Sequence, residues 1–212
     1  MKDLIIIGTG AFARELYWHA QNSIGYNTEW KIKGFLDGTV KIEESEYKKL
    51  PLPVLGNVND YEIAENDVFT CAVGNPKVRK LLIDSISKRD GKFINIIHKT
   101  SLIQGSVKMG NGIVLCPYTC INDNAVLGDF IMVNYMSTIG HDVKLGDYSC
   151  LMGHVDLCGY AEIGKNVFFG SGARVLPDGK VGDNAFVGAG SVVLKNVNAD
   201  TKVFGNPARI TI

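Results

Sequence analysis

No stretch of these 212 residues approaches the ~20 consecutive apolar positions that cross a bilayer, so no membrane insertion is expected. An excess of either charge is also missing. Twenty-two Lys and Arg balance 22 Asp and Glu, which argues against nucleic acid or an anionic membrane surface held by bulk charge. A secretory leader is not apparent, because Met1-Lys2-Asp3 runs straight into an apolar, strand-like segment. Five cysteines, an odd number, then fit reduced thiols in a cytoplasmic protein better than a disulfide framework. Glycine, by contrast, is abundant: 24 residues, most of them in the second half. The length suits one large domain or two small ones, with enough chain to bury a sizeable core.

Two textures divide the chain. Over 1–97, strand-like and helix-like segments alternate. "DLIIIGTG" predicts a buried strand running into a glycine turn, and "AFARELYWHAQNS" a helix with Phe12, Leu16 and Ala20 at fourfold spacing. "WKIKGFLDG" predicts a second strand, "TVKIEESEYKKL" an exposed charged loop, and "DYEIAEN" a short helix. "DVFTCAVGN" predicts a strand ending in glycine, "PKVRKLLIDSISKR" a helix with proline in its first turn, and "KFINIIH" a last strand. This order implies a small α/β domain with a mostly parallel sheet, Rossmann-like in outline.

From 98 to 212 the pattern changes to a period of six. Starting at Ile103, every sixth residue through Val193 is apolar, sixteen in succession. At the overall apolar fraction, chance would give this about four times in a million. The next position is often glycine, as at 110, 128, 140, 146, 164, 170, 182 and 188. The position four after each is small or β-branched, from Val107 to Val197. Six is not a multiple of 3.6, so the segment is not α-helical. Each hexad reads as a short flat strand and a corner, with the aliphatic residue inward and glycine easing the corner backbone. Three hexads close a triangular coil, and about ninety residues give roughly five coils.

The hexads, together with "GTGAFARE", "GFLDG", "AVGNPKVRK", "GHD" and "VFGNPARI", resemble the NeuD/PglD group of sugar acetyltransferases over essentially the whole chain. The resemblance implies a left-handed parallel β-helix after the α/β domain, acetyl-CoA as donor, a homotrimer, and active sites in clefts between subunits. It implies a nucleotide-linked amino sugar as the acceptor of N-acetylation, with O-acetylation of a sialic-acid-like sugar as the alternative. His141 matches the family's general base. Gly140 leaves it unhindered and Asp142 stands beside it as an orienting carboxylate. A free imidazole, titrating near pH ~6.5, takes a proton readily at neutral pH. The resemblance also points to the Gly159 amide as oxyanion donor. It assigns Cys150, Ser171, Gly188 and Ala189 to acetyl-CoA, although the family often has histidine where Cys150 stands. No cysteine is needed as nucleophile, so direct attack on the thioester is expected. His154 is left as a cleft or interface residue, and His19 and His98 as structural.

The turn "GTGAFA" follows a strand and opens a helix, as dinucleotide sites do. A redox site would need a nicotinamide half-site and a larger sheet than fewer than 100 residues allow. The same physics suits the diphosphate of a nucleotide sugar at a helix N-terminus. Gly8 is the turn glycine, and Gly10, Ala11, Phe12, Asp37 and Gly74 match the family's sugar-nucleotide contacts. Phe12 stands where some members have histidine, and Gly38 where some have a second aspartate. Two readings of other classes stand beside this one. A trimeric zinc enzyme of the carbonic-anhydrase type would need three histidines to converge, from His98, His141 and His154. A non-catalytic scaffold would need none. No metal is expected for the acetyltransferase.

Overall fold

The apolar run Leu4–Ile7 is fully buried, as a strand covered on both faces must be. It lies in β1 (Lys2–Ile7) of a computed structural model that describes residues 1–38 and 44–211. The chain divides into units Met1–Lys99 and Thr100–Ile212. In the first unit β1 leads into α1 (Ala11–Gln21), β2 (Trp30–Asp37), α2 (Glu44–Tyr47), β3 (Val54–Asn57), β4 (Asp67–Cys71), α3 (Pro76–Ser87) and the two-residue strands β5 (Lys92–Phe93) and β6 (Ile96–Ile97). The sheet order is β3-β2-β1-β4-β5 and every pairing is parallel. The order reverses between β1 and β4, which opens a crevice at the carboxyl ends of these strands.

Helix α3 starts where proline suggested. Pro76 occupies the first turn, and the Asn75 side chain accepts from the Lys77 and Val78 amides at 3.0 and 3.1 Å. Two expectations fail here. "DYEIAEN" is not helical, because the buried Asp67 carboxylate captures the Ala64 amide, the Tyr61 hydroxyl and Lys33. Those bonds tie 61–66 down as irregular chain instead of leaving its amides for a helix. The strand β3, whose glycine hid it, was not anticipated. Of the loop expected over 39–50, residues 39–43 lie outside the described residues, and the remainder includes the single turn α2.

In the second unit, two-residue strands recur every six residues, and each pairs in parallel with the strand eighteen residues away. Thr138–Ile139, for example, lies between Cys120–Ile121 and Asp156–Leu157. Three faces result. The first runs from Leu102–Ile103 to Val192–Val193, the second from Lys108–Met109 to Asn196–Val197, and the third from Val114–Leu115 to Lys202–Phe204. The first two faces each stack six strands, one coil more than expected. Fourteen of the sixteen hexad residues are buried, and only Ile103 and Met109 in the opening coil are partly open. The phase breaks after Val193: Val197 pairs with Val181 and takes the inward position two residues early.

The buried serines beside this core are satisfied by the stacking itself. Ser137 donates to the Met152 carbonyl at 2.9 Å and accepts from the Val155 amide at 3.1 Å. Ser149 repeats both bonds one hexad pair later, to Gly164 and from Val167.

The corner glycines have a different role from the one expected. Left-handed backbone falls three residues after the core residue, at Asn124, Phe130, Met136, Asp142, Tyr148, His154, Tyr160 and their non-glycine equivalents with φ between 56° and 61°, and at Gly112, Gly172 and Gly190 with φ between 66° and 71°. The glycines one residue after the core residue are needed because the next coil lies against them. A β-carbon on Gly140 would come within 2.7 Å of the Gly159 nitrogen. Corners are thus crowded between coils, and bulky side chains accept the strained position instead.

Candidate active site

His141 stands in the corner that follows the first face, half-exposed at 56% of its side-chain surface. Its Nδ1 lies 2.9 Å from Asp142 Oδ2. Asp142 occupies the left-handed corner position, φ 59°, which short acidic side chains tolerate, and this turns the carboxylate back onto its neighbour's ring. With Nδ1–H donated to the carboxylate, Nε2 is the free proton acceptor. Tyr160 meets the ring edge-on, centroids 5.1 Å apart, and its amide donates to the His141 carbonyl at 3.0 Å. Sequence inspection missed Tyr160. It sits one coil on, eighteen residues from Asp142, and that spacing was its signal.

Gly159 occupies the same corner of the next coil. A β-carbon there would lie 2.6 Å from both Cε1 and Nε2 of His141, so only glycine leaves room for the imidazole in this place. Corner amides at this position bond to no neighbouring coil's backbone. In the second corner, aspartates fill the gap: Asn111 and Lys165 donate to Asp129 and Asp183, each at 2.8 Å. No aspartate does this for Gly159, and its N–H has no hydrogen-bond partner among the described residues. A free, fixed amide beside a histidine nitrogen is the arrangement an oxyanion requires.

The positions that the resemblance assigns to acetyl-CoA lie elsewhere on the prism. Ser171 and Ala189 occupy the third corner in successive coils, linked by Gly190 N–H donating to the Ser171 carbonyl at 2.8 Å. Gly188 is buried beneath the Phe204 ring. His154 belongs to this corner too, one coil earlier, its ring edge-on to Tyr135 at 6.2 Å. The first face separates these residues from His141 and Gly159. Cys150 departs from expectation. It is fully buried in the third face, in register between Met132 and Phe168, so its thiol offers no surface to a ligand. Two other thiols are held in the protonated, poorly nucleophilic form. Burial, then the Asp156 carboxylate, pushes Cys158 up, and burial pushes Cys71 to about 12.

In the first unit, Gly8, Gly10, Ala11, Phe12, Asp37 and Gly74 all line one cleft of about 310 Å³ at the carboxyl ends of β1, β2 and β4. Gly8 has φ 112°, and a β-carbon there would also press on Val73. Gly10 caps α1 without a side-chain bond, leaving the first helical amides available at the cleft. The buried Arg79 holds the far wall by donating to the Val73 carbonyl at 3.1 Å. Two residues not anticipated hold Asp37. Thr9 Oγ1 donates to Oδ1 at 3.0 Å and the Tyr47 hydroxyl to Oδ2 at 2.6 Å.

Known proteins share both units. Residues 3–86 match the family model of the PglD N-terminal domain, and residues 160–195 that of the bacterial transferase hexapeptide (six repeats). The GDP-perosamine N-acetyltransferase of Escherichia coli O157:H7 is 34% identical over 105 residues, covering 50% of this chain and 48% of that protein. The chain therefore spans about half the length of that relative. The acetyltransferase domain of PglB from Neisseria gonorrhoeae FA1090, in complex with acetyl coenzyme A, is 25% identical with a TM-score of 0.87 over 99% of both chains. WeeI from Acinetobacter baumannii AYE is 26% identical with a TM-score of 0.85 over 100% of both. The hexad prism is thus the left-handed parallel β-helix that the resemblance implied. The first unit thus carries a PglD N-terminal domain and the second transferase hexapeptide repeats, in a chain similar along nearly its whole length to the PglB acetyltransferase domain and to WeeI.

Proposed function

We propose that this chain is an acetyl-CoA-dependent N-acetyltransferase acting on a nucleotide-linked amino sugar, in the supply of precursors for a glycan. The observation that carries the proposal is the His141–Asp142–Gly159 arrangement: an imidazole with one nitrogen held by a carboxylate at 2.9 Å and the other beside an unpartnered backbone amide. Likeness to the GDP-perosamine N-acetyltransferase and to the acetyl-CoA-bound PglB domain supports the substrate classes.

In the proposed reaction the acceptor nitrogen attacks the thioester carbonyl while His141 Nε2 takes its proton. Asp142 keeps the ring in the productive tautomer and offsets the imidazolium charge. The carbonyl oxygen becomes an oxyanion held by the Gly159 amide. Collapse of the tetrahedral species breaks the carbon–sulfur bond, and the departing CoA thiolate takes the proton from His141. The cleft at 8–12, 37 and 74 holds the nucleotide diphosphate at the α1 N-terminus.

Base and donor positions lie at different corners of the prism, which supports a site completed by two chains of a cytoplasmic homotrimer, with the first corner of one facing the third corner of the next. The test is a panel of nucleotide-linked amino sugars with acetyl-CoA, read by release of free thiol. Turnover of one or more is expected. Failure of every amino sugar, with transfer to a sugar hydroxyl instead, would replace N- by O-acetylation. No acetyl-CoA binding by calorimetry would leave a scaffold.

A further inference from the structure

Asp142 and Gly159 do not by themselves fix the His141 ring. A single hydrogen bond at Nδ1, made by a carboxylate that is itself one-third exposed, lets the imidazole pivot about the line joining the two atoms. The Gly159 backbone meets the ring only at its Cε1–Nε2 edge and the adjoining Cδ2. More than half of the side chain is open to solvent. An exposed side chain spreads over several rotamers unless something packs against it. A base that samples several orientations reacts from only one of them.

Tyr160 supplies the missing contact. The two ring planes stand at 86° with centroids 5.1 Å apart, an edge-to-face arrangement within the range where such rings attract. Its backbone is held by the coils on either side. The peptide that joins Gly159 to Tyr160 donates its N–H to the His141 carbonyl at 3.0 Å, and its carbonyl accepts from the Asp178 amide at 3.1 Å. The phenol is thus carried on a fixed peptide directly beside the base. Its residue type is also out of pattern. The left-handed position of this corner holds Asn124, Asp142 and Asp178 in three other coils, side chains that tolerate positive φ, whereas Tyr160 takes φ 61° at a steric cost. Spacing by nineteen pairs side chains across another corner too, where Tyr135 meets His154 at 6.2 Å. Of the two pairs, only that of His141 has a carboxylate on the imidazole and, beside it, an amide without a partner among the described residues.

We propose that Tyr160 is a positioning residue for the base: its ring closes the open side of the His141 imidazole and keeps Nε2 beside Gly159. The inference rests on the reading of His141 as general base. It adds a group that acts on the reaction only through that histidine.

Two variants test it. Tyr160→Asn removes the ring and introduces the residue type that Asn124 shows to fit this corner. Tyr160→Phe keeps the ring and drops its hydroxyl. NMR of the full chain with carbon-13-labelled histidine follows four imidazoles, and His141 is identified by the signal lost in His141→Ala. Its ring protons should be displaced by the neighbouring ring current in wild type and in Tyr160→Phe, and should move to ordinary free-histidine positions in Tyr160→Asn. With acetyl-CoA and an amino sugar that turns over, Tyr160→Asn should lower kcat about 3–10-fold, the population shift that one edge-to-face contact sustains, with both KM values within about twofold of wild type. Tyr160→Phe should restore most of that loss. Identical His141 signals in wild type and both variants, or an unchanged kcat in Tyr160→Asn, overturn the positioning role and leave His141 as the base. Full turnover by His141→Ala overturns the base and the positioning role together.

Discussion

Gly159 and His141 are matched as surface to ring: a β-carbon on the glycine would stand 2.6 Å from both Cε1 and Nε2 of the imidazole. The relationship predicts a separation of stability from activity. Gly159→Ala should fold, since an exposed corner ring can swing away, but Nε2 would leave the vicinity of the amide. Misplacement of a catalytic group by about 1 Å costs on the order of 10²-fold in rate. Initial rates at saturating substrates should show that loss, with thermal melting little changed. Retention of full activity would mean that His141 reacts from some other rotamer.

His141 and His154 can be distinguished by the same assay. They occupy different corners, His141 beside the free amide and His154 beside Tyr135 in line with Ser171 and Ala189. His141→Ala should lower turnover about 10²–10⁴-fold, the usual worth of a positioned general base. Asp142→Asn should cost less, because the ring keeps a partner at Nδ1. If His141→Ala keeps more than about a third of wild-type turnover while His154→Ala loses it, the base has been assigned to the wrong corner.

Most of this was legible because the β-helix writes its register into the sequence at a fixed period. Stepping by six from Ile103 located the core, and stepping by eighteen from His141 reaches Gly159. The same arithmetic, carried further, places Ser171 thirty residues from His141, which is not a whole number of coils, so the two belong to different corners. What stayed hidden depended on contacts without a period. The burial of Cys150, at an outward position of the hexad, has no signature in the period, and Asp67 undoes an otherwise plausible helix over 60–66. Thr9 and Tyr47 meet at Asp37 across 28 and 10 residues, a convergence no local pattern announces. The corner glycines were identified correctly but given the wrong reason, since close approach of coils cannot be separated from positive φ by sequence alone.

The solenoid register predicts a sharp contrast between neighbours. Leu145 is 2% exposed and inward, while Lys144 faces out, 3.5 Å from Glu162. Leu145→Asp should cost about 3–5 kcal/mol as an uncompensated buried charge. Lys144→Ser should fall within about 0.5 kcal/mol of wild type. Circular dichroism during urea unfolding measures both. Similar midpoints for the two variants would show that the inward and outward assignments are mistaken.

Acid should loosen the first unit before the carboxylates titrate. His19 and His98 face each other edge-on, ring centroids 6.1 Å apart. Burial, then the charge of His98, holds His19 below its ordinary value; burial, then Lys99, does the same to His98. Both are more readily protonated in the unfolded chain, near pH ~6.5, than in the folded one. Their contribution is intact above that pH and is lost as pH falls from there toward the folded values. Trp18 and Trp30, the chain's two tryptophans, both lie in this unit, so their fluorescence follows it specifically. The urea midpoint should drop between pH 7.5 and 5.5, and drop less in His19→Phe. An identical drop in that variant would assign the effect to other groups.

With His141 in the first corner and Ala189 in the third, the proposed shared site predicts that two inactive variants restore each other. His141→Ala removes the base but leaves the third corner intact. Ala189→Trp leaves the base but fills the third corner, where Ala189 is exposed and flanked by glycines. Each alone should be nearly inactive. In a trimer whose sites pair the first corner of one chain with the third corner of the next, random mixing gives some sites with both halves native. For equal amounts of the two chains about a quarter of all sites qualify, and in each mixed trimer one site of three, so the purified mixed assemblies should recover about a third of wild-type activity. Co-expression with two different affinity tags, followed by purification through both, enriches the mixed assemblies, and light scattering should give the mass of three chains. A site contained within one chain would show no recovery, because every chain in the mixture then carries a defect in its own site. Recovery depends on chain exchange between subunits and not on either variant's stability, so it tests the geometry of the site apart from its chemistry.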